Sequence, residues 1–275
     1  MRHPRSAAEA EFPRLYPDLG WWCPSLQPLG GSRLHDLSRS QNFATLTNMD
    51  PATDWVVNDG QGALDFDGSN DYALTTGLAC NGSVGDFTVS AWVKTTSTTR
   101  GTICGVVETG TAGILHLAVN AINTTTDTSG AIYCQVRQLG HVQAYATSTG
   151  VNDGRWHNIV AVRSMGLLSV YLDGRALALT LAVNVPGTEL IVFARQLAIG
   201  SRNLRGVFDI PLAGQLDDIR LFSRSSLIDD AATLYGLGRG NLPLARRRRY
   251  TEQAAPAFRS AWAARRPTLI GGGLR

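Results

Sequence analysis

GRWHNIVAVRSMGLLSVYLDGR, residues Gly154 to Arg175, reads as two β-strands joined by a tight turn, and the rest of the chain can be placed around it. The run Asn158 to Arg163 is apolar at nearly every position. In Leu168 to Leu172, by contrast, Leu168, Val170 and Leu172 share one face while Ser169 and Tyr171 share the other. Met165-Gly166 supplies a hairpin turn, and Asp173-Gly174 reverses the chain a second time. A two-stranded ribbon is marginally stable alone, so its apolar face has to lie against a second sheet.

Composition extends this reading. With 275 residues, 44% of them hydrophobic, the chain can bury a large core, and all-β sandwiches of this size commonly form one domain. Twenty-nine glycines, and apolar runs split by Asn, Asp, Ser and Thr, predict many short strands with frequent turns. The net charge of +3 conceals an asymmetry, because Asn241 to Arg275 holds eight arginines and one glutamate. The body is therefore mildly acidic and the tail strongly basic, and Lys94 is the single lysine.

Cys23, Cys80, Cys104 and Cys134 show no CxxC spacing and too little neighbouring histidine for a zinc site. The opening MRHPRSAAEAEFPRLYP lacks the apolar stretch of a signal peptide, and no segment is apolar for long enough to span a bilayer. Synthesis in a cytoplasm, with reduced thiols, is the expectation. Asn81-Gly82-Ser83 and Asn123-Thr124-Thr125 match the glycosylation pattern and are read as turns.

Three segments follow. Met1 to Gly20 is a polar, proline-punctuated arm; Trp21 to Gly240 is the folded domain; Asn241 to Arg275 is a basic tail. Within the domain Pro24 to Asp59 reads as loop-rich. Strands are expected at Ala63 to Phe66, Tyr72 to Thr75, Phe87 to Lys94, Ile114 to Val119, Ala131 to Val136 and His141 to Ala146. Beyond the central hairpin they are expected at Ala176 to Ala182, Gln196 to Ser201 and Gln215 to Phe222. In FTVSAWVK, Phe87, Val89, Ala91 and Val93 share one face and Thr88, Ser90, Trp92 and Lys94 the other, so Trp92 is either a second-face core residue, the favoured reading, or an exposed stacking platform.

Ser226 begins a short helix with Leu227, Ala231 and Leu234 on its apolar side and Gly236 to end it, placed to close one end of the sandwich. The fold class is thus all-β, a two-sheet antiparallel jelly-roll sandwich with one capping helix and extended terminal arms.

The ordered set GALDFDGSNDYAL, FTVSAWVK, DGRWHNIVAVR, SVYLDG, LAIGS and GQLDDIRLFSR resembles the laminin-G-like branch of the concanavalin A-like lectin/glucanase jelly rolls, from about Trp21 to Tyr235. The resemblance implies two curved antiparallel sheets and carbohydrate or protein binding at rim loops or a concave face. WWCPSL, TLTNMDPATDWVV and the tail AFRSAWAARR with LIGGGLR look like the version carried by tailed-bacteriophage particle proteins.

Glucanases of this superfamily pair carboxylates two residues apart on one strand. Here Glu9, Glu11, Glu108, Glu189 and Glu252 are scattered, and adjacent Asp217 and Asp218 would point to opposite sides of a strand. No GxSxG, HExxH or GxxxxGK[ST] motif is present, so the expected protein is not an enzyme. Asp217 shares parity with Ile219 and Leu221, which puts a carboxylate on an apolar face where it needs N–H, Arg or metal partners.

Asp65, Asp67, Asn70 and Asp71 are candidate Ca²⁺ ligands, since laminin-G-like domains sometimes hold calcium at a rim loop, although turn formation explains the same letters. Calcium is therefore a candidate cofactor and no other is implied. Trp156 and His157 invite a sugar-site reading, yet the resemblance makes Trp156 a core strand residue and His157 has no Cys or Glu companion, so packing is preferred; the same holds for His116.

In the tail, Arg246, Arg247, Arg248 and Arg249 form a basic run, and Phe258 and Trp262 lie on one side of a possible helix with Arg259, Arg265 and Arg266 around them. These residues could dock on a protein, bind phosphates or be solvated. Docking is preferred over nucleic acid because the body lacks a basic, aromatic surface.

The sequence reading is a non-enzymatic structural or decorating protein of a bacteriophage particle, with its jelly roll facing outward and its arms on neighbouring virion subunits such as the major capsid protein. Its expected state is a homo-oligomer in the virion, made in the host cytoplasm, with no membrane. The alternative is a lectin-like carbohydrate-binding adhesion module, with a glycoside hydrolase ranked third.

Overall fold

The computed structural model describes residues 19–238, apart from 24–30, 37, 39–41, 59–60, 78–82, 108–112, 122, 124, 139–140, 179, 185–189 and 224–227. The first strands are β1 (Leu19–Cys23), β2 (Arg33–His35), β3 (Phe43–Thr47), β4 (Trp55–Asn58), β5 (Gln61–Asp67), β6 (Tyr72–Thr75) and β7 (Ser83–Val84). The middle of the chain gives β8 (Phe87–Lys94), β9 (Gly101–Val107), β10 (Ile114–Ala121), β11 (Asp127–Gln138), β12 (His141–Ser148), β13 (His157–Ser164) and β14 (Leu167–Leu172). There follow β15 (Arg175–Ala176), β16 (Thr180–Asn184), β17 (Ile191–Val192), β18 (Ala198–Ile199), β19 (Arg202–Leu204), β20 (Val207–Asp209), β21 (Ala213–Phe222) and the helix α1 (Ile228–Gly238).

Two sheets form the sandwich. One runs β15-β14-β13-β8-β21-β5-β4, with β1 also on β21; the other runs β16-β12-β11-β10-β9-β18-β6-β3-β2. The remaining pair, β7 and β17, is a small two-stranded sheet, and apart from parallel β19 and β9 the pairings are antiparallel.

The quoted hairpin forms as its turn chemistry dictates. Ser164 pairs with Leu167 across Met165-Gly166, and Leu172 pairs with Arg175 across Asp173-Gly174. Both two-residue turns hold positive φ at both positions, 46° and 77° in the first and 51° and 77° in the second. That is the type I′ geometry, whose twist matches the strands it joins.

Alternation then decides what is buried. Phe87, Val89, Ala91 and Val93 of β8 enter the central core with Ile159 and Ala161 of β13 and Leu168 and Val170 of β14. From the other sheet they meet Ile103, Leu115, Leu117, Val119 and Ile132. Full burial of each large side chain stabilises by about 1.5–3 kcal/mol. Gly200 marks the tightest contact, because a Cβ there would lie 2.1 Å from the Phe66 ring while φ is +77°.

Each sheet also buries part of its second face. β10 is buried at all eight positions. β19, with β20 paired to it, runs against β9 so closely that a Cβ on Gly105 would lie 3.5 Å from the Arg202 backbone. On the other sheet, Ala231 and Leu234 of α1 pack on Val160, Val162, Tyr171 and Phe222. The helix therefore lies on a sheet face, where those apolar side chains were waiting, and does not close an end; it also runs past Gly236 to Gly238. Ser226 and Leu227 fall outside the described residues.

Several local expectations are corrected. Pro24 to Asp59 contains β2, β3 and β4, and Ala176 to Ala182 is divided between β15 and β16, which lie in different sheets. The strands expected at Ala63 to Phe66 and Tyr72 to Thr75 form as β5 and β6 in opposite sheets, so the turn between them crosses the sandwich.

The expectation for Asp217 fails because β21 carries a bulge. Asp217 sits opposite Trp92 and Arg220 opposite Ser90, with Asp218 and Ile219 together against one partner position and Asp218 at φ 50°. The extra residue shifts the parity, so Asp217 leaves the apolar face that Ile219 and Leu221 occupy. The buried carboxylate is Asp218, and Arg220 grips it bidentately, with Nε to Oδ1 at 2.8 Å. The bulge falls where β21 exchanges one edge partner for another: Ala213 to Leu216 pair with β5, and Ile219 to Phe222 with β1.

Candidate functional site

A cleft of about 410 Å³ opens at the end of the outer face of the β8–β21–β5 sheet. Its floor comes from one row across three strands: Lys94 of β8 lies opposite Gln215 of β21, which lies opposite Asp65 of β5. Strand parity explains why polar groups gather here, since each is out of phase with the core residues Val93, Leu216 and Leu64. Thr95, Thr96, Ser97, Gly154, Ala213 and Gly214 complete the lining.

The loop after Lys94 is held from several sides. Thr95 donates its hydroxyl to Ala213 O at 2.6 Å and accepts the Ser97 N–H at 3.0 Å. Ser97 O accepts from both Asn120 Nδ2 and Asn152 Nδ2, each at 2.9 Å. Asn120, fully buried, also donates to Thr99 O and accepts the Gly130 N–H. Gly130 O in turn accepts the N–H groups of Thr149 and Gly150. Three loops are thereby tied to one another, which fixes the cleft wall before any ligand arrives.

Burial raises the Asp65 carboxyl above the ordinary 3.8, and the charge of Asp54 adds to the rise; the hydrogen bond with Gln215 and the charge of Lys94 oppose it. Among the described residues Asp65 is the one carboxylate lining the cleft. Glycoside hydrolysis by either route needs two carboxylates across the scissile bond, and this lining presents one.

Beside the cleft, the turn Val151–Arg155 carries a second arrangement. His157 Nδ1 lies 2.9 Å from Asp173 Oδ2, and Nε2 lies 3.0 Å from Asp153 Oδ1. The hydrogen bond with Asp173 raises the imidazole pKa above 6.5; burial opposes this and the Asp153 bond adds to the rise. Gly154, from the same turn, donates to Thr95 O at 3.0 Å.

The other candidates are placed as follows. Asp67 Oδ1 accepts the Ser69 N–H at 2.7 Å, Asp71 Oδ2 accepts the Asp67 N–H at 3.0 Å, and Asn70 O accepts from Asn48 Nδ2. The Asp67 and Asp71 oxygens bond within the turn, the Asn70 carbonyl bonds to Asn48, and Asp65 lines the cleft. Among the described residues no three His, Cys, Asp or Glu side chains gather as a metal site.

Trp92 is a second-face core residue, 5% exposed and stacked on Tyr235 of α1 with ring centroids 5.5 Å apart. Trp156 is half-buried just before β13 and lies outside the core clusters. His116 is fully buried against Tyr133 with Nε2 on Thr102, and burial drives its pKa down to about 3. Cys104 and Cys134 are buried free thiols on either side of Leu117. Arg246, Arg247, Arg248, Arg249, Phe258, Arg259, Trp262, Arg265 and Arg266 lie outside the described residues.

Sequence reasoning missed Lys94, Gln215 and the Thr95–Ser97 loop as a site, and missed the two aspartates of His157. The signals were present: the single lysine ends the polar face of FTVSAWVK and is followed by TTSTT.

Architecture and cleft define a lectin-type jelly roll. The family model described as the concanavalin A-like lectin/glucanases superfamily matches residues 67–228, more than half of the sequence. The chain belongs to that superfamily.

Among solved structures it is similar to the botulinum neurotoxin serotype D binding domain, at 12% identity and TM-score 0.58, covering 80% of this chain and 51% of that one. The serotype D ligand-binding domain in complex with N-acetylneuraminic acid matches at 14% identity and TM-score 0.57, covering 79% and 50%. The serotype G binding domain matches at 14% and 0.54, covering 80% and 51%. The chain thus spans about half the length of these binding domains, and at such identities the likeness is one of fold. No curated protein matches the sequence.

Proposed function

We propose that this jelly roll is a non-catalytic binding module that takes a glycan in the cleft at Asp65, Lys94 and Gln215. The observation that carries the reading is the lining itself: Lys94, Gln215, Asp65 and the hydroxyl-bearing Thr95, Thr96 and Ser97 line a volume typical of small-molecule sites. Such a set matches a ligand rich in hydroxyls, because each sugar hydroxyl both donates and accepts. The Asp65 carboxylate can accept from such hydroxyls. Sialylated glycans are the first probes to try, since a structure of the same fold holds N-acetylneuraminic acid.

A glycan array followed by calorimetry tests the reading. Binding that is lost in Lys94→Ala and Gln215→Ala, with the fold intact, supports it; binding indifferent to both changes, or none on the array, overturns it.

The module's setting is a further part of the proposal. The two polar, proline-punctuated ends and the Arg-rich tail support attachment to a bacteriophage particle, with the sandwich facing outward. Deleting Asn241 to Arg275 should leave the sandwich folded and abolish incorporation into particles. Incorporation of the shortened chain would overturn that attachment.

A further inference from the structure

The cleft wall contributed by the turn Val151–Arg155 is held by a clamp whose chemistry depends on one proton. Carboxylates accept hydrogen bonds and do not donate them, whereas a neutral imidazole has one N–H and one acceptor nitrogen. His157 meets a carboxylate oxygen at each nitrogen, at 2.9 and 3.0 Å. Both contacts can be hydrogen bonds only in the imidazolium form. Loss of either ring proton sets a lone pair against a carboxylate on one side.

The two sides are not equivalent. Asp173 is fixed by the strands: its Oδ1 accepts the Asn158 N–H at 2.9 Å, and its own N–H donates to Asn158 O at 2.8 Å. Asp153 stands on the turn with its side chain 40% exposed, accepting the Arg155 N–H at 2.8 Å, with Arg155 Nε at 3.8 Å. The contact that gives way is therefore the one to Asp153. The charged groups facing the imidazole are Asp153 from the turn and Asp173 from the β14–β15 turn, and Arg155 lies against Asp153. From α1, Tyr235 packs against Gly174, the next residue.

We propose that Asp153, His157 and Asp173 form a proton-dependent latch on the cleft wall, closed when the imidazole carries both protons and released from Asp153 when one is lost. Release leaves Val151–Arg155 attached to the cleft through Gly154 on Thr95 O and Asn152 on Ser97 O. The consequence for ligand binding rests on the reading of the cleft as the glycan site. The latch itself is observable without ligand.

The test is an NMR titration of the full chain from about pH 5.5 to about pH 8.5, following the His157 ring and the exchange protection of the Gly154 amide. The expected result is a His157 midpoint above the ordinary value and a fall of about threefold in Gly154 protection at that same midpoint. Asn158, on the Asp173 side, should keep its protection. Asp153→Asn should abolish the pH dependence at Gly154, because an amide can either accept from the protonated ring or donate to the neutral one.

A His157 midpoint at or below the ordinary value overturns the proposal. So does Gly154 protection that ignores the titration, or a pH dependence unchanged in the Asp153→Asn chain. A normal titration of the latch, combined with no binding of sialyllactose at either end of the pH range, sustains the latch and counts against the glycan reading alone.

Discussion

One face of one sheet meets two fates in this molecule. Toward one end, Val160, Val162, Tyr171 and Phe222 are sealed beneath α1. Toward the other, Lys94, Gln215 and Asp65 face an open cleft. Trp92 stands at the border, on the row between Lys94 and Ser90, with Tyr235 stacked on it. The same strands supply both ends, so alternation alone does not decide whether an outward position is buried. The later segment Ile228–Gly238 decides it by covering one end, and the polar row is left as a site.

The contrast can be broken most forcefully at the covered end. Phe222→Ala removes a side chain that is 1% exposed and should cost about 3–5 kcal/mol in a denaturant titration. A loss like that of a surface change would mean that the helix-covered cluster is not a second core.

Next comes the buried ion pair beside the border. Arg220→Ala takes the guanidinium from Asp218 and should cost about 3 kcal/mol near neutral pH.

At the open end the effects should be smaller and should depend on pH. Because the folded-state pKa of His157 is raised, the folded chain binds more protons than the unfolded one between the two pKa values. The clamp's contribution is then complete below about pH 6.5 and is lost as pH rises through the folded value. The group is partly exposed and solvent screens it, so the change should be about half a kcal/mol, absent in His157→Gln, as read by denaturant midpoints on either side of the transition.

Smallest of all, Lys94→Ala should move stability by less than about 0.5 kcal/mol while removing glycan binding. A large loss of stability there would make Lys94 a structural residue and erase the contrast.

How far the sequence could be read follows the same division. The Met165-Gly166 and Asp173-Gly174 turns and the alternation of Phe87 to Lys94 were legible because local chemistry specifies them. β9 was not: GTICGVV is buried on both faces and so carries no alternation, and its glycines read as turn signals. The parity of Asp217 was unreadable because one added residue in a bulge inverts every later position. The cleft was half legible. Lys94 and its Thr/Ser loop are contiguous, but Gln215 reaches it by pairing with Lys94 across 121 residues and Asp65 by pairing with Gln215 across 150, which no local pattern records. His157 was visible and its clamp was not, because Asp173 had been fully accounted for as a turn residue.

The shared edge of β21 has a practical consequence. A chain shortened to begin at Pro24 would still pair Ala213 to Leu216 but would leave the amides and carbonyls of Ile219 to Phe222 without their neighbour on that side. An unprotected ribbon of that kind recruits a stranger's strand, so trimming the front of this protein invites sticky, chain-to-chain self-association.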